Sequence, residues 1–394
     1  MCRERYQVFN YILARVDENL ATEIQLSQFE YISVFELGSD DLDSAFFDVV
    51  TAEWLDIERD KVTQDIYDYA PKRFKHDSHG LNVVYFKDNG DLERNFYEDE
   101  WAKFVDGIHH SHRFFNPKAK DFLDSVFGFA SCDAGNLKTD CVRVVKQGEY
   151  LYRARKAQSY ADAKKLKEDP PSQFGPPPKS GAGSQRMTPA GIAAMYCGFD
   201  RQTCLSEIRA ITGDQVVSVA LTPTKTLNLL DLSRLPKLEM PKLTWLDEGY
   251  LRKCQLNTFL NSLVKKMSKP RGRNDELSYL STQVVFEYLR LKFTGQIDGL
   301  VFPSVQTGEK GVNAVLFPEC SVVSRVKYSK LEIDELFGPP SEKQMAHEEG
   351  ARLMYVERSM VFHKITSIET HSNEYESISD LYMDDLTRRR LGFS

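Results

Sequence analysis

The chain is 394 residues long, room for two or three domains, and 41% of its residues are hydrophobic and 28% charged. That balance supplies a core of normal size and excludes a globally disordered protein. The formal net charge is −7, from 51 basic and 58 acidic side chains, and no long basic tract occurs, so nucleic acid is not an expected partner. Seven cysteines, at positions 2, 132, 141, 197, 204, 254 and 320, form no C-x-x-C pair and are odd in number. They fit neither a zinc ribbon nor a secreted disulfide framework, and reduced thiols in a cytosol are expected. The first residues, MCRERYQVFN, are charged from the third position, and no apolar run approaches the length of a membrane span. A cytoplasmic protein with no membrane segment is therefore expected.

Residues 1–145 read as mainly helical. Tyr6, Phe9, Ile12 and Leu13 recur at helical spacing, and Phe46, Val49 and Val50 do so before Trp54, with Asp40 or Asp41 as the cap of that second helix. A strand-like piece at 81–86 leads into an Asn89-Gly90 turn. Residues 98–115 are again helical in pattern, with Trp101, Phe104, Val105 and Ile108 on one side. The texture changes near Gly148. A strand at 150–154 carries Arg153, a charged stretch occupies 161–169, and the loop PPSQFGPPPKSGAGSQ follows, its prolines and glycines arguing against helix or central strand. Its glycine spacing is not a dinucleotide fingerprint, and no G-K-[ST] follows it. A buried strand is expected at 192–199, then a helix at 201–210 capped by Asp200, with Cys204, Leu205 and Ile208 as its apolar stripe and Glu207 at the border. An alternating strand at 216–221, a strand at 227–232, a helix at 244–267, a basic break at 269–273 and a helix at 279–293 come next. Strands at 297–303 and 312–317 close this part, and 319–394 mixes strands with a charged end.

The densest run of chemistry-bearing residues is RMTPAGIAAMYCGFDRQTCLSE at 186–207. It sets a cation, an aromatic ring and a carboxylate at Arg186, Tyr196 and Glu207, each about one strand or short helix from the next. Cleavage of an N-glycosidic bond builds oxocarbenium character, which a nearby carboxylate stabilises while holding a ribose hydroxyl. A pyrophosphate suits the planar fork of arginine, here Arg153 or Arg186, and an aromatic ring such as Tyr196 stacks on a base. A phosphate-bearing N-glycoside such as NAD has need of all three. Ser304 and Asn313 flank a tight, glycine-bearing connection and are placed to hydrogen-bond phosphate or ribose. Each residue also has a plain structural explanation: a rim charge for Arg153, a loop cap for Arg186, core for Tyr196 and a solvated helix face for Glu207. The functional case rests on them together.

Several blocks resemble, in sequence and in order, those of RES-domain proteins: YRAR at 152–155, GPPP at 175–178, RMTPAGIAAMY at 186–196, TCLSEIR at 203–209, VVSVAL at 216–221, LLDL at 229–232, TQVVFEYLR at 282–290 and DGLVFPS…GVNAVLF at 298–317. The resemblance covers about 150–320. It implies an α+β chain with a split-sheet domain similar to ADP-ribosyltransferases of the diphtheria-toxin kind, the toxin half of a RES–Xre toxin–antitoxin pair. NAD+ is the implied substrate, with no separate cofactor, consumed by hydrolysis or phosphorolysis or used to ADP-ribosylate a protein. Arg186, Tyr196 and Glu207 match the family's catalytic positions, Arg153 and Ser304 its binding positions, and Asn313 joins them. Two positions depart from the family pattern: Gln185 stands where glycine is usual and Thr188 where asparagine is. The expected division is 1–145, a helical and regulatory domain resembling that of HEPN/RES-type proteins and suggesting phage defence, then 146–335, the RES domain, then 336–394, an extension. Expected partners are an Xre-type antitoxin or other inhibitor and a further copy of the chain. A non-catalytic NAD sensor is the alternative from another class.

Two other signals are weaker. His109 and His112 are expected to share a helix face with Asp106, a pair that lacks the third ligand a zinc site needs, so no metal is expected. Arg358 and His363 have the R-x4-H spacing of HEPN ribonucleases, but in a strand-like run at 353–365 rather than after a helix, and that pairing is attributed to chance. Arg388, Arg389 and Arg390 read as a solvated tail.

Overall fold

The computed structural model describes residues 2–36, 38, 42–57, 60–90, 92–132, 135–178, 181–237, 243–268, 277, 279–328 and 350–368. These fall into two compact units, one of 2–100 with 243–259 and one of 101–237 with 260–368. This division differs from the expected one. Residues 101–145 go with the second unit, and the segment ending at 259 goes with the first although it interrupts the second in sequence. The chain is α+β.

In the first unit, helix α1 (Cys2–Asn19) buries Phe9, Ile12 and Leu13 of the expected stripe and Val16 beyond it, whereas Tyr6 stays exposed. They share a core with Phe47, Val50, Phe74 and Trp245 and with Ile66 of α2 (Asp60–Tyr69). The unit also holds a small antiparallel sheet, in which β3 (Val84–Lys87) lies between β1 (Leu20–Thr22) and β2 (Ser44–Phe46). Only β3 was anticipated, because β1 and β2 are three residues each and too short to show alternation. The helical turn expected before Trp54 starts at Phe47, capped by Phe46 at the end of β2, and continues as a π-helical stretch from Val50. Asp40 and Asp41 lie outside the described residues.

Asn19, fully buried at the end of α1, organises the second piece of chain in this unit. Its Nδ2 donates to the carbonyls of Trp245 (2.8 Å) and Asp247 (3.0 Å), and its Oδ1 accepts from the Leu251 amide (3.3 Å).

In the second unit, α3 (Phe96–His110) turns Trp101, Phe104 and Ile108 inward, and Phe104 lies 5.5 Å ring to ring from Phe122 of α4 (Pro117–Phe127). The helix stops at His110, short of the expected 115, because Asn116 caps α4 and Pro117 takes its first position, where a missing N–H costs nothing. His112 therefore lies beyond the helix and shares no face with His109. Among the described residues no group of three His, Cys, Asp or Glu side chains is placed to hold a metal ion.

The rest of this unit is built on a ten-stranded mixed sheet. Its strands are β4 (Val142–Val145), β5 (Leu151–Lys156), β6 (Met195–Gly198), β7 (Gln215–Pro223), β8 (Leu227–Asp231), β9 (Gly299–Ser304), β10 (Gly311–Leu316), β11 (Val323–Tyr328), β12 (Leu353–Val356) and β13 (Val361–Lys364). The order is β11-β12-β7-β5-β6-β10-β9-β8-β4, with β13 also on β7. β6 pairs with β10 through four residues and β5 with β7 through six, yet β5 and β6 share the single pair Tyr152↔Gly198. The sheet is thus split into two wings along that seam. Leu151, Val219, Met195 and Ala314 fill the core beneath it.

Three local expectations change. β7 is buried at every position from 216 to 223 instead of alternating, because both its faces are covered. The proline-rich loop begins with a helical turn, α6 (Pro170–Phe174), after α5 (Tyr160–Glu168); its two prolines occupy the first positions, where they are tolerated, and Asp169 caps it. The described part of the C-terminal extension is not an appendage, since β12 and β13 complete the sheet against β7.

Replacing Asn19 with Ala removes its bonds to the buried Trp245 carbonyl, to the Asp247 carbonyl, which keeps the Tyr250 amide, and to the Leu251 amide, a loss of roughly 2 kcal/mol. Faster amide hydrogen exchange at 245–251 in the Asn19→Ala chain is the expected readout.

Candidate active site

Glu207 is the last residue of α7 (Arg201–Glu207). Asp200 starts this helix as expected, its carboxylate accepting from the Thr203 amide (2.7 Å) and the Thr203 hydroxyl (2.6 Å). The helix ends at 207 and not 210, since Arg209 adopts a left-handed backbone with φ +47°. Two glycines let it lie close on the sheet. A Cβ at Gly311 would sit 2.1 Å from the Thr203 hydroxyl, and one at Gly198 would sit 2.9 Å from the Asp200 carbonyl.

This approach brings Glu207 to the ends of two strands. Its Oε1 accepts from the Ser304 hydroxyl at 2.5 Å and from the Asn313 amide nitrogen at 2.6 Å. Ser304 is fully buried and Asn313 is 4% exposed, so both donors are fixed by packing. Glu207 is half-buried, and its Oε2 takes no hydrogen bond from the described residues. One oxygen is anchored and the other is not.

Tyr196 projects from the same sheet face. It pairs with Val315, two residues from Asn313, and alternate residues of a strand share a face. Its hydroxyl accepts from the Met187 amide at 2.8 Å, which ties down the loop carrying Arg186. Burial raises the Tyr196 pKa well above its ordinary value, so the phenol stays protonated. Arg186 lies over Phe302, 5.8 Å from the ring centroid, and Phe302 is the register partner of Asn313. The Arg186 Nε is buried with no hydrogen-bond partner among the described residues.

Arg153 is placed differently. By register it belongs to the opposite face, with Val219, and its Nη1 turns into the seam to donate to the Tyr196 carbonyl at 3.0 Å. That carbonyl would bond to β5 if the two wings remained paired. Burial lowers the Arg153 pKa, while the nearby thiols of Cys197 and Cys204 oppose the shift. Burial in turn pushes Cys197 up to about 11 and Cys204 up to about 12, which keeps both as inert thiols at neutral pH. The structure thus gathers Arg186, Tyr196, Glu207, Ser304 and Asn313 on one face and sets Arg153 at the seam behind Tyr196.

Sequence reasoning overlooked the residues that shape the Arg186 loop. They are Thr282 and Gln283, at the start of α9 (Leu280–Lys292), which follows α8 (Tyr250–Ser268). The Thr282 hydroxyl donates to the Arg186 carbonyl at 2.5 Å. The Gln283 Nε2, with two hydrogens to donate, lies within hydrogen-bonding distance of the carbonyls of Gln185 (2.8 Å) and Thr188 (3.2 Å) and of the Ser184 hydroxyl (3.1 Å). The signal available was two polar residues opening an otherwise apolar helix face. Gln185 and Thr188, the departures from the family pattern, are thereby held through their backbones, which the side-chain changes leave intact.

Residues 150–334 match the family model of the RES domain. Residues 150–334 are therefore a RES domain, broadly a domain of NAD-related function in toxin–antitoxin systems, and its described residues 243–259 belong to the first compact unit. No curated protein matches the chain. The match leaves out the first unit's residues 2–100 as well as strands β12 and β13. Among the described residues no helix is long and apolar enough to cross a membrane.

Gln283→Leu removes both donor hydrogens of the clamp while keeping similar volume. The amides of 185–188 are expected to exchange at least about tenfold faster, the equivalent of roughly 1.4 kcal/mol of lost local protection. Unchanged exchange there would show that the loop does not depend on this clamp.

Proposed function

We propose that the RES domain cleaves the nicotinamide–ribose bond of NAD+, with water or phosphate as the acceptor. The observation that carries this reading is the divided carboxylate of Glu207, with Oε1 held by Ser304 and Asn313 and Oε2 uncommitted. A carboxylate fixed in this way needs no reorganisation when positive charge develops on the ribose, and it can accept a ribose hydroxyl in the ground state. Arg186, with its buried and unpaired Nε, supplies a cation for the pyrophosphate. Tyr196 holds the Arg186 loop and lends the cleft an aromatic wall. Ser304 and Asn313 act on Glu207 more directly than on substrate. Nicotinamide leaves as a neutral base, so the mechanism asks for no strong general acid.

Transfer to a protein acceptor uses the same bond cleavage and is distinguished by product. An enzyme that consumes NAD has to be restrained in its host. We assign that role to an Xre-type antitoxin or another inhibitor, and assign the first unit's residues 2–100, which lie outside the family match, to regulation in phage defence.

The test is nicotinamide release from NAD+ by the purified chain. Glu207→Gln is expected to lower kcat by about 10²-fold or more with little change in KM. Ser304→Ala and Asn313→Ala, which each loosen one of the two bonds to Oε1, are expected to lower kcat by about tenfold. Free ADP-ribose as product marks hydrolysis, its 1″-phosphate marks phosphorolysis, and label on protein marks transfer. Full activity in Glu207→Gln would overturn the role given to Glu207.

A further inference from the structure

The helix that presents Glu207 is anchored at its opposite end by residues beyond the family segment. Arg201 is the first residue of α7. Its Nη1 donates to the Ser218 hydroxyl, its Nη2 donates to the Ser359 carbonyl at 2.9 Å, and its guanidinium carbon lies 5.0 Å from the Tyr152 ring centroid. Ser218 is fully buried in β7, and its Oγ is 2.7 Å from Nε2 of His363 in β13.

Elementary donor and acceptor counting orders this chain of contacts. Arginine only donates, so Ser218 Oγ accepts from Arg201 and keeps a second lone pair and its hydrogen for His363 Nε2, with the direction of that bond set by the imidazole tautomer. A second proton on the ring would place a new positive charge beside Arg201. Burial, and then the Arg201 charge, hold the His363 pKa below its ordinary value of 6.5. Arg201 of α7 is the charged group that faces this ring, and the neighbouring β7 positions on that face are Val216 and Ser218.

The backbone around Ser359 is shaped to match. β12 ends its register at Tyr355↔Leu221 and β13 begins at Val361↔Ser218, so 356–360 bulge opposite only two residues of β7. The Ser359 hydroxyl fills the gap by accepting from the Ala220 amide at 3.0 Å, and Arg358 takes φ +61°, an unfavourable value for a residue with a Cβ. That turn aims the Ser359 carbonyl at Arg201.

We propose that Ser218, the Ser359 carbonyl and His363 are positioning groups for Glu207, acting through Arg201 and α7, so that strands β12 and β13 are part of the active site's support. α7 has only seven residues, too few to hold its geometry alone, and it must be pinned at both ends for the carboxylate to meet Ser304 and Asn313. The kinetic part of this proposal rests on the NAD-cleaving reading; the structural part does not.

The sign of the pH effect follows from the lowered His363 pKa. The folded protein binds fewer protons here than the unfolded chain, so the contact is at full strength above pH 6.5 and weakens as pH falls below it.

The experiment uses the full chain with His363→Leu, His363→Gln and Arg201→Met, read by amide hydrogen exchange and by NAD turnover at several pH values. In His363→Leu and Arg201→Met, the amides of 204–208 are expected to exchange about tenfold faster while those of β9 and β10 are unchanged. kcat is expected to fall about tenfold with KM within about twofold. His363→Gln keeps a hydrogen-bonding side chain without a titration, so it should restore both quantities and remove the loss of kcat expected in the wild type as pH falls below about 6.5. Equal loss of protection across the whole sheet, or an α7 indifferent to both sites, would overturn the proposal. If α7 responds as expected but the wild type releases no nicotinamide, the NAD reading fails and the positioning role stands. If the wild type is active and both kcat and α7 exchange ignore His363 and Arg201, the positioning role fails and the NAD reading stands.

Discussion

Everything at the candidate site depends on how the sheet opens between β5 and β6. A ladder that continued past Tyr152↔Gly198 would close the seam and satisfy the Tyr196 carbonyl with a strand amide. The wings part instead, and the Arg153 guanidinium supplies the missing donor at 3.0 Å. A buried carbonyl without a partner would cost about 1–3 kcal/mol, so the cation makes the opening tolerable. Arg153 thus has a structural duty at the seam whatever ligand the cleft takes.

The second constraint is close approach. Glu207 reaches Ser304 and Asn313 because Gly198 and Gly311 offer no Cβ to hold α7 away from the sheet. A short helix contributes little intrinsic stability, since nucleating the first turn is unfavourable. Its placement comes from the Asp200 cap, from Cys204 packed against Ala154 and Val216, and from Arg201. The carboxylate that results has two non-equivalent oxygens. That asymmetry arises from the surroundings, because the two oxygens are chemically identical in an isolated glutamate.

The limits of the RES segment and of the folded unit do not coincide. The family match stops at 334, yet the unit includes β12 and β13, and β7 would lose a neighbour on one edge without them. An exposed β7 edge would present unpaired N–H and C=O groups along a largely apolar strand, a known liability for aggregation. The strands that cover it also reach Arg201, so edge protection and site support share the same residues.

The sequence by itself determined the elements and the chemistry available. The 3.6-residue spacing of α1, the Asp200 cap and the apolar runs of β7, β9 and β10 were legible because each reflects a local rule of backbone geometry. The site residues were legible as types in order, through blocks such as RMTPAGIAAMY and TCLSEIR. The Arg358 and His363 spacing was attributed to chance, and the use of His363 in the fold was invisible. His363 gains meaning only from Ser218, 145 positions away, and Gln283 only from carbonyls 95 to 98 positions away. The division of the chain was hidden for the same reason, since Asn19 and Trp245 meet across 226 positions. Contacts over such distances leave no periodic trace in a sequence. Tertiary structure alone decided that one oxygen of Glu207 is held and the other is not.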